Sequence, residues 1–414
     1  MKTSMAKKAD RNLIIGLDIG TSKVVALVGE MTLDGDIEII GIGSHPSKGL
    51  KRGVVVNIES TVQSIQRAIE EAELMAGCQI YSVYTGIAGS HIKSLNSHGV
   101  VAIRDTEVSQ YDVDRVIEAA RAVAIPADQK ILHILPQQFI IDSQEGIREP
   151  IGMSGVRLEA KVHIVTGSVS AAQNIVKCVR RCSLEVDDII LQQLASSYSV
   201  LTNDEKELGV CIVDIGGGTT DIAVYTQGSI RHTAVIPVAG DQVTNDISVA
   251  LRLPTQNAEE IKIKYSNLES SDTESDAEIE INGSHEQATR HITRAQLGQV
   301  IEPRYEEIFT LVQAELRQQG LEDLLGAGIV LTGGSSRFKG AASLAENVFD
   351  MPVRLGLPRY VTGLSDVIRN PSFSTGVGLL LYGRQQQIER QVESGHPGLP
   401  GMWGRVRRWF QGNF

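Results

Sequence analysis

Two segments of the chain share one pattern of apolar and polar positions, and each predicts a β-hairpin. Apolar residues dominate positions 12–28 and again positions 209–225, and in both segments a short polar turn divides the apolar run in two. Short apolar or alternating runs on either side of a turn are typical of paired β-strands. Each turn begins with Asp-Ile-Gly, which starts at Asp18 in the first segment and at Asp214 in the second. This internal repeat predicts a fold of two related α/β halves.

The turn residues are of the types that bind phosphate and a hydrated metal ion. Gly216, Gly217 and Gly218 are expected to take positive φ angles and to bring bare N–H groups against an anion. Asp18 and Asp214, at strand ends, suit Mg²⁺ held through water, since Mg²⁺ keeps part of its hydration shell. The pattern differs from a Walker loop, which needs Gly-Lys-Ser/Thr leading into a helix, and an ordinary hairpin is the alternative. The other turn residues that we assign to the nucleotide are Gly20, Thr21, Ser22, Lys23 and Thr219.

Two further segments complete the predicted nucleotide site. Residues 328–336 read as a strand that ends in Gly333 and Gly334, a turn open enough for an adenosine to lie against it. Residues 257–262 have helical spacing, which puts Glu259 and Lys262 on one face, where they can hold ribose hydroxyls. Together with the two hairpins, these segments predict one nucleotide clamped between the two halves.

These four segments resemble the superfamily that contains actin, sugar kinases and DnaK-type chaperones. Residues 53–57, 86–92 and 152–159 narrow the resemblance to the FtsA family of bacterial cell-division proteins. The resemblance implies an actin-like ATPase fold that binds ATP and Mg²⁺. It also implies that Gly240 and Asp241, in a turn similar to one of the superfamily, approach the phosphates of the nucleotide.

The resemblance and the order of elements divide the chain into two α/β halves, two inserted subdomains and a tethered tail. The expected boundaries are a disordered tail at 1–11, a first half at 12–86 and 166–204, an inserted subdomain at 87–165, a second half at 205–240 and 326–383, a second inserted subdomain at 241–325, a linker at 384–401 and a membrane-binding helix at 402–414. The spacing also predicts a crossing helix over 189–201, and a helix from residue 246 that continues past Pro254.

Hydrolysing members of the superfamily hold a Glu or Gln near the start of the crossing helix, where it positions the attacking water. Gln192 and Gln193 occupy that neighbourhood in this chain. An amide can orient water but is a poor base, so we expect at most a weak ATPase activity. An ordinary exposed amide is the alternative interpretation.

Composition and charge restrict the class of partner. The chain has 42% hydrophobic and 21% charged residues, as soluble globular proteins do, and its net charge of −11 argues against a nucleic-acid partner. Neither the four cysteines nor His91, His98, His133 and His163 show the spacing of a metal site, so we interpret them as structural residues. No run approaches the ~20 apolar residues of a spanning helix, and residues 1–11 lack the apolar region of a signal peptide.

The C-terminal segment predicts an amphipathic helix behind a polar linker rich in glycine and proline. At about 100° per residue, its apolar side chains fall on one face and its arginines fall outside that face. A basic, aromatic helix of this kind is typical of an interfacial anchor on an anionic membrane, and a tail packed on the core or in a partner groove is the alternative. The residues that we assign to the membrane are Trp403, Val406, Trp409 and Phe410 with Arg405, Arg407 and Arg408.

The family resemblance implies an adaptor of the division machinery. In this interpretation the chain anchors FtsZ filaments to the inner face of the cytoplasmic membrane at the division site, polymerises with itself and helps to recruit later division proteins. The resemblance places the site for the FtsZ tail in the second inserted subdomain, 241–325. A small-molecule kinase of the same superfamily is the alternative, and it predicts a general-base Asp in the cleft and no use for an amphipathic tail.

Overall fold

The computed structural model describes residues 12–266, 278–281 and 290–395. The expected tail at 1–11, the end of the linker at 396–401 and the membrane-binding helix at 402–414 lie outside the described residues, so they stay sequence predictions. No helix in the described ranges is long and apolar enough to cross a membrane.

The first half is built on a six-stranded mixed sheet. Its strands, in spatial order, are β11 (Glu185–Leu191), β6 (Ser82–Ile87), β1 (Leu13–Ile19), β2 (Lys23–Met31), β3 (Ile37–Pro46) and β19 (Val361–Gly363). The helices α1 (Ile58–Ala76) and α3 (Val169–Arg181) belong to this half, as does a small hairpin of β4 (Leu50–Lys51) and β5 (Val54–Val55). Because β1 and β2 are buried nearly throughout, their sequences are continuous apolar runs.

The second half has a five-stranded sheet that repeats the design of the first. Its strands, in spatial order, are β14 (Ser229–Ile236), β13 (Thr220–Thr226), β12 (Val210–Ile215), β17 (Ile329–Thr332) and β18 (Val353–Leu355). The antiparallel hairpin β12–β13 with its parallel neighbour β17 matches the hairpin β1–β2 with its parallel neighbour β6. The repeat in the sequence is therefore a repeat of structure, and the predicted fold of two related α/β halves is confirmed.

Two helices pack on this sheet, α5 (Asn203–Leu208) and α9 (Ala341–Phe349). The short helix α10 (Ser365–Ile368) contacts β19 of the first half. Short 3₁₀ turns lie at Glu322–Leu324, Gly334–Ser336 and Pro371–Phe373. Two further helices, α4 (Gln192–Val200) and α11 (Ser374–Gly395), cross between the two halves. They pack so closely that a Cβ on Gly378 would lie 1.8 Å from the carbonyl oxygen of Ala195.

The segment between β6 and α3 folds as a unit with its own core. It is an antiparallel sheet of β7 (Lys93–Ala102), β10 (Arg157–Ser168), β8 (Gln129–Ile141) and β9 (Gln144–Ile147), covered by α2 (Gln110–Arg121). Apolar residues of α2 and of the sheet form a cluster separate from those of the two halves. Polar contacts then join this sheet to the outer strand β14 of the second half.

The second inserted segment shares its core with the half that carries it. It consists of α6 (Gly240–Leu251), α7 (Thr255–Tyr265), a hairpin of β15 (Glu278–Ile281) and β16 (Arg290–Thr293), and the long helix α8 (Arg294–Gln318). Buried residues of these elements form one cluster with those of β12 and β13. The helices α6 and α7 are thereby fixed against the glycine turn that ends β12.

Three elements differ from the sequence predictions. Residues 189–191 are the end of β11 and not the start of a helix, because they pair with β6. The helix from residue 246 stops at Leu251, since Arg252 takes a φ of 54° and Pro254 cannot donate the next helical hydrogen bond. Most of the expected linker, 384–395, continues α11 as a helix, because this stretch is rich in Arg, Gln and Glu and has no proline.

Candidate functional site

A cavity of about 480 Å³ lies between the two halves, at the ends of the two equivalent hairpins. We call it the cleft. Apart from Gly240 and Asp241, the nucleotide-binding residues proposed from the sequence all line it. They are Asp18, Gly20, Thr21, Ser22, Lys23, Asp214, Gly216, Gly217, Gly218, Thr219, Glu259, Lys262, Gly333 and Gly334. Segments far apart in the chain are thus brought to one place by the fold.

The two hairpin turns have the same internal hydrogen bond. The Gly20 N–H donates to the Lys23 carbonyl at 3.0 Å, and the Gly216 N–H donates to the Thr219 carbonyl at 2.9 Å. Within the described part of the chain, the next two amides of each turn donate no hydrogen bond: Thr21 and Ser22 in the first turn, and Gly217 and Gly218 in the second. Both turns therefore present unused N–H donors at the cleft, and such donors bind anions.

The expectation of positive φ angles at the three glycines of the second turn is wrong. None of Gly216, Gly217 and Gly218 is among the residues with positive φ. Glycine is required at the last two by the approach of the opposite turn instead. A Cβ on Gly217 would lie 2.9 Å from the Cβ of Ser22, and one on Gly218 would lie 2.7 Å from the Oγ1 of Thr21. The glycines let the turns of the two halves meet face to face.

Gly333, in the turn after β17, does take a positive φ. Its φ is 87°, and a Cβ there would lie 2.3 Å from Oδ1 of Asp214. The turn after β17 consequently packs directly against the end of β12, where the acidic group of the second hairpin is located. Gly334, the next residue, also lines the cleft.

Three carboxyl groups meet in the cleft, and their pKa values are raised. Burial and the nearby Asp214 raise the pKa of Asp18 to about 7, although Lys23 opposes the shift. Burial, together with Asp214, raises the pKa of Asp221 to about 8. Burial also raises the pKa of Asp214, whose carboxylate accepts hydrogen bonds from the hydroxyls of Ser196 and Thr375. Mutually repelling, buried carboxylates are ionised more readily when a cation lies among them.

The acidic cluster suits a cation that keeps its water shell. No three His, Cys, Asp or Glu side chains in the described ranges are arranged to hold a metal ion directly. Asp221, which the sequence analysis missed, has a buried Oδ1 without a hydrogen-bond partner there. A hydrated Mg²⁺ between Asp18 and Asp214 fits this donor set, because its water ligands can bond to carboxylate oxygens that the protein leaves unpaired.

Lys23 supplies a positive charge at the opposite side of the first turn. Its ammonium lies 4.1 Å from the ring centroid of Phe373. Burial, opposed by Asp18 and supported by Arg337, lowers the pKa of Lys23 to about 8. A nearby anion such as phosphate would stabilise its charged form.

Of the two candidate glutamines, only Gln192 faces the cleft. It is the first residue of α4, and its Nε2 donates to Oδ1 of Asp18 at 3.1 Å. The side chain of Gln193 is fully buried elsewhere, where its Nε2 lies 3.3 Å from the carbonyl oxygen of Ala234. Of these two glutamines, Gln192 therefore places its side-chain amide in the cleft, next to the acidic cluster.

Glu259 and Lys262 line the cleft as an ion pair. The Nζ of Lys262 lies 2.7 Å from Oε2 of Glu259, and it also donates to the Gly240 carbonyl at 3.0 Å. Gly240 and Asp241 lie behind the glycine turn, with their N–H groups donating to the carbonyls of Gly216 and Gly217. Both backbone amides are therefore already engaged. Neither Gly240 nor Asp241 is among the residues that line the cleft.

Several residues that line the cleft were missed from the sequence. They are Gly53, Asp221, Ile263, Ser266, Ser335, Arg337, Phe338, Lys339, Pro371, Ser372 and Thr375. Ser335 lies inside a segment that the sequence analysis identified, and Ile263 and the run from Arg337 to Lys339 directly follow such segments, so their neighbourhood was a usable signal. Pro371 and Ser372 come from the 3₁₀ turn before α11, Thr375 comes from the first turn of α11, and none of the three carries a motif.

Comparison with protein families and with individual relatives points to one family. The family described as cell division protein FtsA matches residues 211–378, and the SHS2 domain inserted in FtsA matches residues 89–166. A cell division protein FtsA of Pseudomonas aeruginosa is 64% identical over 99% of this chain and 100% of its own length. Another FtsA, from Escherichia coli (strain K12), is 48% identical over 99% of this chain and 100% of its own length.

Solved structures with the same fold are much less similar in sequence. A PilM–PilN type IV pilus biogenesis complex has a chain with a TM-score of 0.65 and 17% identity, covering 90% of this chain and 98% of its own. MreB5 of Spiroplasma citri bound to AMPPNP has a TM-score of 0.56 and 16% identity, covering 93% of this chain and 99% of its own. The fold is thus the actin-like ATPase fold, and the identity over the full length of curated relatives decides the family. The chain belongs to the FtsA family of bacterial cell-division proteins.

Proposed function

We propose that this chain is an actin-like, ATP-binding adaptor that anchors FtsZ filaments to the inner face of the cytoplasmic membrane at the division site. The observation that carries the nucleotide part is the pair of equivalent hairpin turns. Each turn offers two unused amides to the same cleft, beside an acidic cluster. Twofold presentation of amides suits a polyphosphate, which has anionic groups on both sides.

Each part of ATP has a matching group in the cleft. The amides of Thr21, Ser22, Gly217 and Gly218 bind phosphate oxygens, and Lys23 adds a positive charge. Asp18 and Asp214 hold Mg²⁺ through water, and this ion neutralises phosphate charge when it is bound. The adenosine lies against Gly333 and Gly334 with its ribose towards Glu259 and Lys262. MreB5, a protein of the same fold, has been solved with AMPPNP and with ADP.

Hydrolysis by this cleft is slow. Gln192 is the amide nearest to the acidic cluster, and its Nε2 is engaged with Asp18. An amide orients water without accepting its proton, so the attacking water would lack an efficient general base. The nucleotide consequently acts mainly on conformation and assembly.

Membrane attachment is assigned to residues 402–414. Trp403, Val406, Trp409 and Phe410 enter the apolar boundary of the bilayer, while the arginines at 405, 407 and 408 contact anionic headgroups. Both tryptophans of the chain lie in this segment. Polymerisation of the core then joins many weak anchors into one firm attachment, because binding becomes multivalent.

The FtsZ tail binds to the second inserted subdomain, 241–325, and later division proteins bind elsewhere on the polymer. The relatives reported above are cell-division proteins, so the kinase alternative gains no support from them. An amphipathic tail also has no use in a small-molecule kinase.

Calorimetric titration of the full chain with ATP and Mg²⁺ tests the nucleotide part. Gly217→Val should weaken binding roughly 5- to 150-fold, because its side chain would collide with Ser22 and overpacking of this kind costs about 1–3 kcal/mol. The matched control is Ala119→Val, which adds a β-branched residue to the exposed face of α2 and should bind ATP normally. If the folded Gly217→Val variant bound ATP with the affinity of the wild-type chain, nucleotide binding in the cleft would be refuted.

A further inference from the structure

Thr244 lies behind the ion pair of Glu259 and Lys262 and contacts both members. It is on α6, one turn after Gly240, and its side chain is 3% exposed. The Oγ1 of Thr244 donates a hydrogen bond to Oε2 of Glu259, with the carbonyl oxygen of Gly240 as a second acceptor at 3.1 Å, and it accepts a hydrogen bond from Nζ of Lys262 at 2.7 Å. None of the nucleotide-binding segments picked out from the sequence includes this threonine.

The ammonium of Lys262 has no proton left for a ligand. An ammonium group has three N–H donors, and three acceptors surround this one. They are the carbonyl oxygen of Gly240 at 3.0 Å, Oγ1 of Thr244 at 2.7 Å and Oε2 of Glu259 at 2.7 Å. Its side chain is also almost fully buried, so Lys262 is held as an internal crosslink between α6 and α7.

Glu259 differs from Lys262 in having a carboxylate oxygen, Oε1, that no described residue contacts through a hydrogen bond. Both hydrogen bonds to its carboxylate end on Oε2, and Oε1 accepts none within the described part of the chain. The side chain is 35% exposed and lines the cleft. A carboxylate oxygen accepts a hydroxyl proton, and Oε1 is therefore the atom of the pair that can bind a ribose.

We propose that Thr244 is a positioning residue that, with Lys262, fixes the Glu259 carboxylate so that Oε1 selects nucleotides with an intact ribose. This inference rests on the proposed binding of ATP in the cleft. Without the Thr244 hydroxyl, Oε2 keeps a single partner and Lys262 loses one of its three acceptors. The carboxylate is then free to rotate about the side-chain bonds of Glu259. The variant loses its preference for an intact ribose but keeps the contacts with the phosphates.

The test is calorimetric titration of the full chain with ATP, 2′-deoxy-ATP and 3′-deoxy-ATP. The readout is the ratio of the Kd of the weaker deoxy analogue to the Kd of ATP. The wild-type ratio should be about tenfold, as expected for a hydrogen bond to a charged group. Thr244→Val, which keeps the shape of the side chain, should lower the ratio to about twofold, and Thr244→Ser, which keeps the hydroxyl, should restore it.

Two results would overturn the inference while leaving ATP binding intact. One is a Thr244→Val variant that weakens ATP and the deoxy analogues by the same factor, which would show a purely structural role. The other is a wild-type chain that binds ATP and both analogues equally, which would show that no ribose hydroxyl contributes to binding. Failure of the wild-type chain to bind any of the three would refute the proposed nucleotide function itself. If Thr244→Val does not fold, Thr244→Ala carries the same comparison.

Discussion

Replacing His163 by glutamine removes a buried imidazole from the contact between the inserted sheet and β14. The side chain of His163 is 1% exposed, with Nδ1 2.8 Å from Oδ1 of Asn96 and Nε2 3.0 Å from Oγ1 of Thr233. Since the Asn96 oxygen is an acceptor, Nδ1 carries the proton and Nε2 accepts from the Thr233 hydroxyl. The ring is therefore neutral in the folded protein, and burial lowers the pKa of His163 to about 3.

The low pKa makes the free energy of unfolding depend on pH in a defined window. In the unfolded chain the pKa of this histidine returns to 6.5. Between these two values the unfolded chain binds a proton that the folded protein does not, so stability rises with pH and is lost as the pH falls below 6.5. From about pH 8 to about pH 5, protonation of the unfolded state alone should cost about 2 kcal/mol for this single group.

The measurement is urea unfolding of the wild-type chain and of His163→Gln at about pH 8 and about pH 5. The loss of stability between the two pH values should be smaller in the variant by about 2 kcal/mol. Gln137→Leu is the matched control, because Gln137 donates to Asn96 and to the Ile230 carbonyl in the same contact but does not titrate. This control should be less stable by the same amount at both pH values. An unchanged pH dependence in His163→Gln would refute a neutral, buried imidazole at this position.

Two other predictions concern turnover and the tail. ATP hydrolysis measured by phosphate release should stay well below the ~10 s⁻¹ of a typical enzyme, because Gln192 is a poor base, and a rate near that value would return support to the kinase alternative. In vesicle binding, Trp409→Glu should release the chain at any salt concentration, because a charge would have to enter the acyl boundary. Replacing the three arginines should weaken binding mainly to anionic vesicles, by about 1 kcal/mol for each charge. Salt-independent binding of the wild-type chain, or normal binding by Trp409→Glu, would contradict these assignments.

The parts of the fold that local patterns determine were predictable. The two hairpins and the strand before Gly333 are apolar runs bounded by turn residues. The local sequence of such runs is sufficient to predict a strand. The break at Pro254 was predicted wrongly from the sequence, although proline lacks the N–H that a continuing helix needs. A short apolar run such as 189–191 is ambiguous between helix and strand until its partner β6 is known.

The features of the site that depend on distant segments were not predictable in this way. Gly217 and Gly218 are required by Thr21 and Ser22 of the other hairpin, whereas the local sequence pointed to positive φ. Thr244 gains its contacts only because α6 and α7 turn back on each other after Leu251. Only Gln192 of the two glutamines faces the cleft, and this likewise depends on the residue at which α4 begins.

Co-sedimentation with anionic vesicles and FtsZ tests the adaptor function most directly. The full chain and a truncation lacking 402–414 are each incubated with FtsZ, ATP and vesicles, and the pelleted FtsZ is quantified. The full chain should carry FtsZ into the vesicle pellet, whereas the truncated chain should leave FtsZ in the supernatant while still binding ATP. Equal recovery of FtsZ with the truncated chain, or no recovery with the full chain bound to vesicles, would contradict the adaptor function.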